Sequence, residues 1–293
     1  MPARPALSIN PGSQRLPWAV FIHGLGIGSE IWEEPRRTRI LGGLYPLSSL
    51  LRERGELRTL FHDFLERGFT TVNWNQERPV GAIEYPLREL RDVISALRAK
   101  KPPGIILIGH SRGGIVARKY LETGKNEDIK AYVSIASPHQ GSTMAKWQKF
   151  IKPVTSCIKP FIREDSKSTY MKAVRRMIGF IESPAVRELL PDSPLLVPPR
   201  RPAGDFVSLS IGGKRPLSFN VLGVKFPCTL GEVFPVGGLL PEELREGLGD
   251  GLVSARSAVY PFSSWHADFH LNHVEVLFDK EARRSILARI PAD

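Results

Sequence analysis

Acidic residues and cysteines are what this sequence is short of. Thirty Asp and Glu stand against 41 Lys and Arg, leaving a formal charge of +11. A surface of that sign draws in polyanions, which is a statement about encounter and not about chemistry. Zinc-finger spacing is missing, and so is any ladder of aromatics among basic residues, so no nucleic-acid partner is expected. The two cysteines, Cys157 and Cys228, lie 71 positions apart and fit no metal or redox spacing. That leaves two packed thiols or one disulfide. No apolar run reaches the roughly 20 residues that span a bilayer. The segment before Trp18 holds four prolines and lacks the apolar stretch of a signal peptide. The expectation is a cytoplasmic protein, with secretion open if a leader has been removed.

What is present is a chain of 293 residues, enough for one large domain with an excursion. Trp18 to Ile22 is a short apolar run that stops at His23-Gly24-Leu25-Gly26, a strand entering a glycine loop. Leu44 to Arg54 reads as a helix ending at Gly55, and Arg58 to Phe64 as a second strand. Ile83, Leu87, Leu90, Ile94 and Leu97 form one apolar stripe, with Pro86 in the first turn of that helix. Ile105 to Ile108 and Ala131 to Ala136 are continuous apolar runs of the kind buried on both faces of a sheet. Ile115 to Leu121 between them reads as helix. Asp205 to Ile211 and Ala258 to Phe262 are later strand candidates, and His273 opens a last helical stretch. Strands alternating with helices argue for a mostly parallel sheet covered on both sides.

The strongest chemical signal is Gly109-His110-Ser111-Arg112-Gly113, a G-x-S-x-G pattern between a buried strand and a helix. A strand that turns sharply into a helix holds the central serine in a strained conformation with its hydroxyl exposed. Glycine two residues to either side lets the backbones pass. A serine hydroxyl needs a base to take its proton and a carboxylate to orient that base. Asp250, flanked by Gly249 and Gly251, is the candidate acid. His266, His270 and His273 compete as the base, with His273 favoured because it is the last polar residue before Val274-Glu275-Val276-Leu277-Phe278. His110 is expected to point away from the serine, His139 to fix a turn, and His62 to be structural. A lone H-G-x-G is an ordinary glycine turn. Paired with the elbow, His23 to Gly26 reads as an oxyanion loop, with the backbone amides of Leu25 and Arg112 as donors.

FIHGLG, IGHSRGG, SIASPHQGS, GDGLVSARSA and HLNHVEVL occur in the order seen in the lipase and esterase branch of the α/β-hydrolase superfamily. The sequence resembles bacterial triacylglycerol-lipase-like proteins most. That resemblance implies an α/β-hydrolase fold and a carboxylic ester hydrolase with Ser111 as nucleophile, Asp250 as acid and His273 as base. It covers residues 18–142 and 206–293. Many such lipases hold calcium through an aspartate two positions after the histidine, but Glu275 stands there and no second acid is evident. Another branch binds zinc, but His62-Asp63 lacks a second histidine nearby. No metal and no cofactor are therefore expected.

The expected division is a first part of the core at 1–142, a helical cap at 143–204 and a second part of the core at 205–293. Within the cap, Tyr170, Val174, Met177, Ile178 and Ile181 share one helical face, opposite Lys172, Arg175 and Arg176. One reading is a mobile lid that meets oily or anionic interfaces; the other is a cap helix packed permanently on the core. The substrate is expected to be a small-molecule or lipid ester. A thioesterase, amidase or polyester hydrolase would use the same triad, and a non-catalytic binding module is the reading from another class. Oligomeric state is not legible.

Overall fold

The computed structural model describes residues 6–40, 45–51, 57–124, 126–143, 179–180, 182–196, 199–217, 219–221, 224–226 and 241–291. Its centre is a seven-stranded sheet. The strands are β1 (Leu7–Asn10), β2 (Trp18–Ile22), β3 (Thr71–Trp74), β4 (Ile105–His110), β5 (Ile129–Ile135), β6 (Val207–Gly213) and β7 (Trp265–Phe269). Their order is β1-β3-β2-β4-β5-β6-β7, and every pair is parallel except β1 with β3. The fold is that of an α/β hydrolase, a mostly parallel sheet flanked by helices.

The apolar strands read as continuous runs because both faces are covered. Along β2, Ala19 and Phe21 enter one core while Val20 and Ile22 enter the other. On the first face α1 (Leu60–Glu66) and the late helix α5 (Lys280–Leu287) pack through Phe61, Phe64 and Ile286. On the second face α2 (Glu84–Arg98) and α3 (Arg112–Thr123) contribute Leu90, Val93, Ile94, Ile115 and Val116. A short helix, α4 (Pro184–Glu188), is capped by the Ser183 hydroxyl, which accepts from the Val186 amide at 3.3 Å.

Three readings of the sequence are corrected. Arg58 to Phe64 is not a strand. Thr59 caps α1, with its amide donating to His62 Nδ1 at 3.2 Å. Buried Leu60, Phe61 and Phe64 then follow a helical spacing. Ala258 to Phe262 is not a strand either: Ser254 caps a single turn at Ala255–Ala258, and Tyr260 joins Tyr132, His139 and Phe262 in an aromatic cluster. In place of a helix from Leu44, Tyr45–Pro46 pairs with Arg39–Ile40 and leads into a 3₁₀ turn at Leu47–Leu50. The amphipathic stretch Tyr170 to Ile181 lies outside the described residues apart from 179 and 180, and Cys157 and Cys228 lie outside them altogether.

Candidate active site

The site is built where β4 ends. Ser111 has φ 54° and ψ −125°, left-handed backbone that a β-carbon disfavours. Such a position costs roughly 1–3 kcal/mol and persists only where the surroundings fix it. Here the Ser111 amide donates to the Ile135 carbonyl at 2.8 Å, and the Gly114 amide donates to the Ser111 carbonyl at 3.1 Å. The flanking glycines are required by space. A β-carbon on Gly109 would collide with the Gly114 amide, and one on Gly113 with the Ile22 carbonyl oxygen.

Asp250 is fully buried in the loop after β6. Its Oδ1 accepts from the amides of Leu252 at 2.9 Å and Val253 at 2.7 Å, while Oδ2 lies 2.8 Å from His273 Nδ1. The His273 amide also donates to the Asp250 carbonyl at 3.1 Å. Gly213 ends β6, and a β-carbon there would meet both Asp250 Cβ and the Leu271 carbonyl, so the acid and histidine loops close over a bare backbone. Of the three late histidines, the structure places only His273 on Asp250. His270 is exposed and lies 3.1 Å from Glu246, whereas His266 spans Ser210 and Asp268 on the sheet.

The turn carrying His273 is fixed from both sides. Asn272 Oδ1 accepts from the Val274 and Glu275 amides, each at 3.0 Å, and its Nδ2 donates to the Leu50 carbonyl at 2.9 Å. Glu275 accepts from the Asn272 amide at 3.1 Å and is paired with Arg215. Among the described residues no cluster of three or more His, Cys, Asp or Glu could hold a metal ion.

Sequence reasoning does not single out Gln76, and His110, expected only to point away from the serine, packs beside the candidate base. The His110 ring lies 4.9 Å from the His273 ring, and its Nε2 donates to the His273 carbonyl at 3.0 Å. Burial, with the neighbouring His273 adding to it, pushes the His110 pKa down to about 3, so it stays the neutral donor this contact needs. Gln76, just after β3, donates from its amide to His23 Nε2 at 3.0 Å and from its side chain to the His23 carbonyl at 3.1 Å. Burial lowers the His23 pKa to about 4, and its Nδ1 donates to the Gly24 carbonyl at 3.0 Å. The glycine loop is thereby held against the elbow: a β-carbon on Gly24 would stand 3.1 Å from Ser111 Cβ. A faint cue existed, since Gln76 follows a Thr-Val-Asn-Trp run of β character.

Arg112 opens α3, where backbone N–H groups have no intrahelical acceptor. Its side chain is buried. Nη2 donates to the Gly81 carbonyl at 2.6 Å and to Glu188 of α4 at 3.2 Å. Glu188 also accepts from the Ile83 amide at 2.9 Å. Leu25 is partly buried against the second core. Beyond it, Phe180 sits against Gly26, whose φ of 68° and missing side chain make the approach possible.

Comparison with known proteins agrees with this architecture. The chain resembles a mature lipase of Bacillus licheniformis at 13% identity and TM-score 0.54, covering 97% of each chain. It resembles a hydrolase of Pseudomonas aeruginosa PA01 at 14% identity and TM-score 0.51, covering 96% of this chain and 92% of that one. The Drosophila melanogaster lysosomal thioesterase PPT2 homologue is 28% identical over 117 residues, 39% of this chain and 38% of that protein. The sequence profile described as "Alpha/beta hydrolase family" matches residues 19–279, and the chain belongs to that family.

Proposed function

We propose that this hydrolase is a serine carboxylic ester hydrolase of the lipase-like esterase type. The observation that carries the reading is the buried 2.8 Å contact of His273 with Asp250, in a loop held against the strained Ser111 elbow. Asp250 occupies Nδ1, so the proton-taking nitrogen is Nε2. In this reading Ser111 Oγ attacks the ester carbonyl carbon as its proton passes to His273 Nε2. The tetrahedral oxyanion is stabilised by the amides of Arg112 and Leu25. The imidazolium then gives its proton to the departing alcohol, which leaves an acyl-enzyme on Ser111. Water, deprotonated by the same imidazole, attacks that ester and releases the acid. Asp250 orients the ring and stabilises its charge without taking the proton.

Residues 143–204 are proposed as a cap over this site. Phe180 against Gly26 and Glu188 against Arg112 support a seat for that segment beside the oxyanion loop. An apolar lid face costs about 25 cal/mol per Å² in water, so a lid opens where an oily or anionic surface covers it. A second reading, thioester hydrolysis, is favoured by the partial likeness to the thioesterase homologue. Labelling of Ser111 by a fluorophosphonate probe, followed by matched oxygen-ester and thioester panels of increasing chain length, tests both. A chain that takes no label is a binding module, and a thioester preference above about tenfold replaces the first reading with the second.

A further inference from the structure

Away from the elbow, α1 and α5 with their flanking residues enclose a cavity of about 570 Å³ that opens to solvent. It shares no residue with the Ser111 site. Its two carboxylates are already engaged: Glu66 lies 2.6 Å from Arg58, and Asp63 pairs with Arg283 and stands 3.5 Å from Arg58. Three more cations line the same space. Arg67 donates to the uncharged Leu287 carbonyl at 3.4 Å. The side chains of Lys280 and Arg284 make no ion pair or hydrogen bond among the described residues.

The cavity therefore holds five cations against two carboxylates. Lys280, Arg283 and Arg284 fall at i, i+3 and i+4, so one face of α5 presents all three together. Like charges so spaced repel, and an anion seated among them turns that repulsion into attraction. Two acids flank the set: Asp279 is spent as the cap, accepting from the Ala282 amide at 2.8 Å, and exposed Glu281 in the first turn does not line the cavity. Arg283 is only 8% exposed, yet its Nε has no hydrogen-bond partner. A buried guanidinium beside exposed Lys280 and Arg284 joins a flat fork of donors to two movable charges, which suits a phosphate group. Phe278 and Leu287 supply an apolar wall.

We propose that this cavity binds a small phosphorylated molecule, with the phosphate on Lys280, Arg283 and Arg284 and an apolar portion against Phe278 and Leu287. Its volume falls within the roughly 300–1,000 Å³ of small-ligand sites. The inference does not depend on the reaction catalysed at Ser111.

Calorimetric titration of the full chain with inorganic pyrophosphate at constant ionic strength tests it. One saturable site of sub-millimolar Kd is expected, with a matching rise in melting temperature. Lys280→Ala/Arg284→Ala, two exposed positions, should weaken Kd by about tenfold or more while keeping the parent's circular dichroism. Arg88→Ala/Arg91→Ala, on the opposite helix layer, should change it by less than about twofold. Phosphatidylcholine vesicles with and without phosphatidic acid separate a free ligand from a lipid headgroup. Vesicle binding that pyrophosphate displaces and the Lys280/Arg284 variant loses would make the ligand a headgroup; no vesicle binding would leave a soluble one. No saturable uptake up to about 10 mM pyrophosphate, or equal uptake by parent and the Lys280/Arg284 variant, overturns the proposal.

Discussion

Two histidine–aspartate pairs stand near the C-terminal end of this chain, and their difference is instructive. His273 Nδ1 lies 2.8 Å from Asp250, and His266 Nε2 lies 3.0 Å from Asp268. By distance alone they are equivalent. Surroundings separate them. The Asp250 carboxylate is inaccessible, with its second oxygen held by two backbone amides, and among the described residues nothing competes with the imidazole for Oδ2. Asp268 is shared with Lys214 at 3.0 Å; burial pushes its carboxyl up, but His266 and Lys214 together hold it below the usual carboxylate range. His266 has both ring nitrogens occupied within the sheet, Nδ1 by Ser210 at 2.8 Å and Nε2 by Asp268. A base must keep one nitrogen for the reaction, and an imidazole tied at both ends does not. The first pair is also tied to the elbow, through the contact of His273 with His110, the residue before the backbone-strained serine.

The largest effects are expected from removing the reacting groups. Ser111→Ala and His273→Ala should each lower kcat for a short soluble ester by about 10⁴-fold or more, with folding retained. The two losses should coincide, because either change dismantles the same unit. Asp250→Asn should cost less than either, since the acid orients the base without taking its proton. Steady-state kinetics with melting curves on each variant decides this. A His273→Ala enzyme within tenfold of the parent would move the base elsewhere.

A second prediction contrasts the reacting histidine with those that brace it. His23 and His110 have pKa values lowered by burial from 6.5 to about 4 and about 3, and burial lowers His139 too. The folded state thus favours their neutral forms. Their stabilisation is complete above the unfolded value of 6.5 and is lost as pH falls toward the folded values. For His23 and His110 together the loss at pH 5 is about 4 kcal/mol. Glu89 and Glu188, raised by burial, offset part of it. Urea melts from pH 7.5 to 4.5 should show a steep decline beginning near 6.5, and His110→Gln should flatten it. A profile flat to pH 5 would contradict the burial of these rings.

The contrast also shows what could be read beforehand. The fold class and the elbow were legible because Ile105 to Gly114 joins a doubly buried strand, a steric glycine pattern and a helix in consecutive residues. The acid and base loops depend on Gly213, Asn272 and Glu275, whose work is close backbone approach and hydrogen bonding across the fold. Periodicity carries no trace of that. β3 escaped notice because it is only four residues long, and its alternation of Thr71, Val72, Asn73 and Trp74 imitates a half-exposed strand although all four are buried. β7 did carry a signal: Trp265 and Phe269 pack on the core while His266 and Asp268 share the other face, an alternation of period two. The more apolar Ala-Val-Tyr-Pro-Phe beside it drew the assignment, although Pro261 and the capping Ser254 argue for a turn there.

A smaller effect is expected where the elbow meets α4. Arg112 carries a proposed oxyanion amide, while its side chain is locked by Gly81 and Glu188. Glu188→Gln keeps the shape and can still accept from the Ile83 amide, but it gives up the charge opposite a buried guanidinium. We expect kcat to fall by about tenfold, with KM for a short ester nearly unchanged, because a misplaced donor matters most where charge develops. Glu188→Asp should be no better, being too short to span Ile83 and Arg112 together. Equal losses in kcat and melting temperature with a raised KM would reduce the pair to a structural tie.

The smallest effect bears directly on the two pairs. His266→Phe deletes an imidazole that resembles the proposed base in type, in acidic partner and in region of the chain. Its partners keep other bonds: Asp268 retains Lys214, and Ser210 retains the Ser263 hydroxyl at 3.2 Å. Losing two part-buried hydrogen bonds should cost about 1–2 kcal/mol of stability. Activity should remain within about twofold of the parent, since nothing at Ser111 is touched. His270→Ala, whose ring is exposed beside Glu246, should change neither quantity measurably, as exposed pairs contribute about 0–1 kcal/mol. Kinetics and urea melts on the three histidine variants therefore form a ladder, with His273 altering rate, His266 altering stability, and His270 altering nothing. If His266→Phe matched His273→Ala in rate while folding normally, occupation of both ring nitrogens would not disqualify a base.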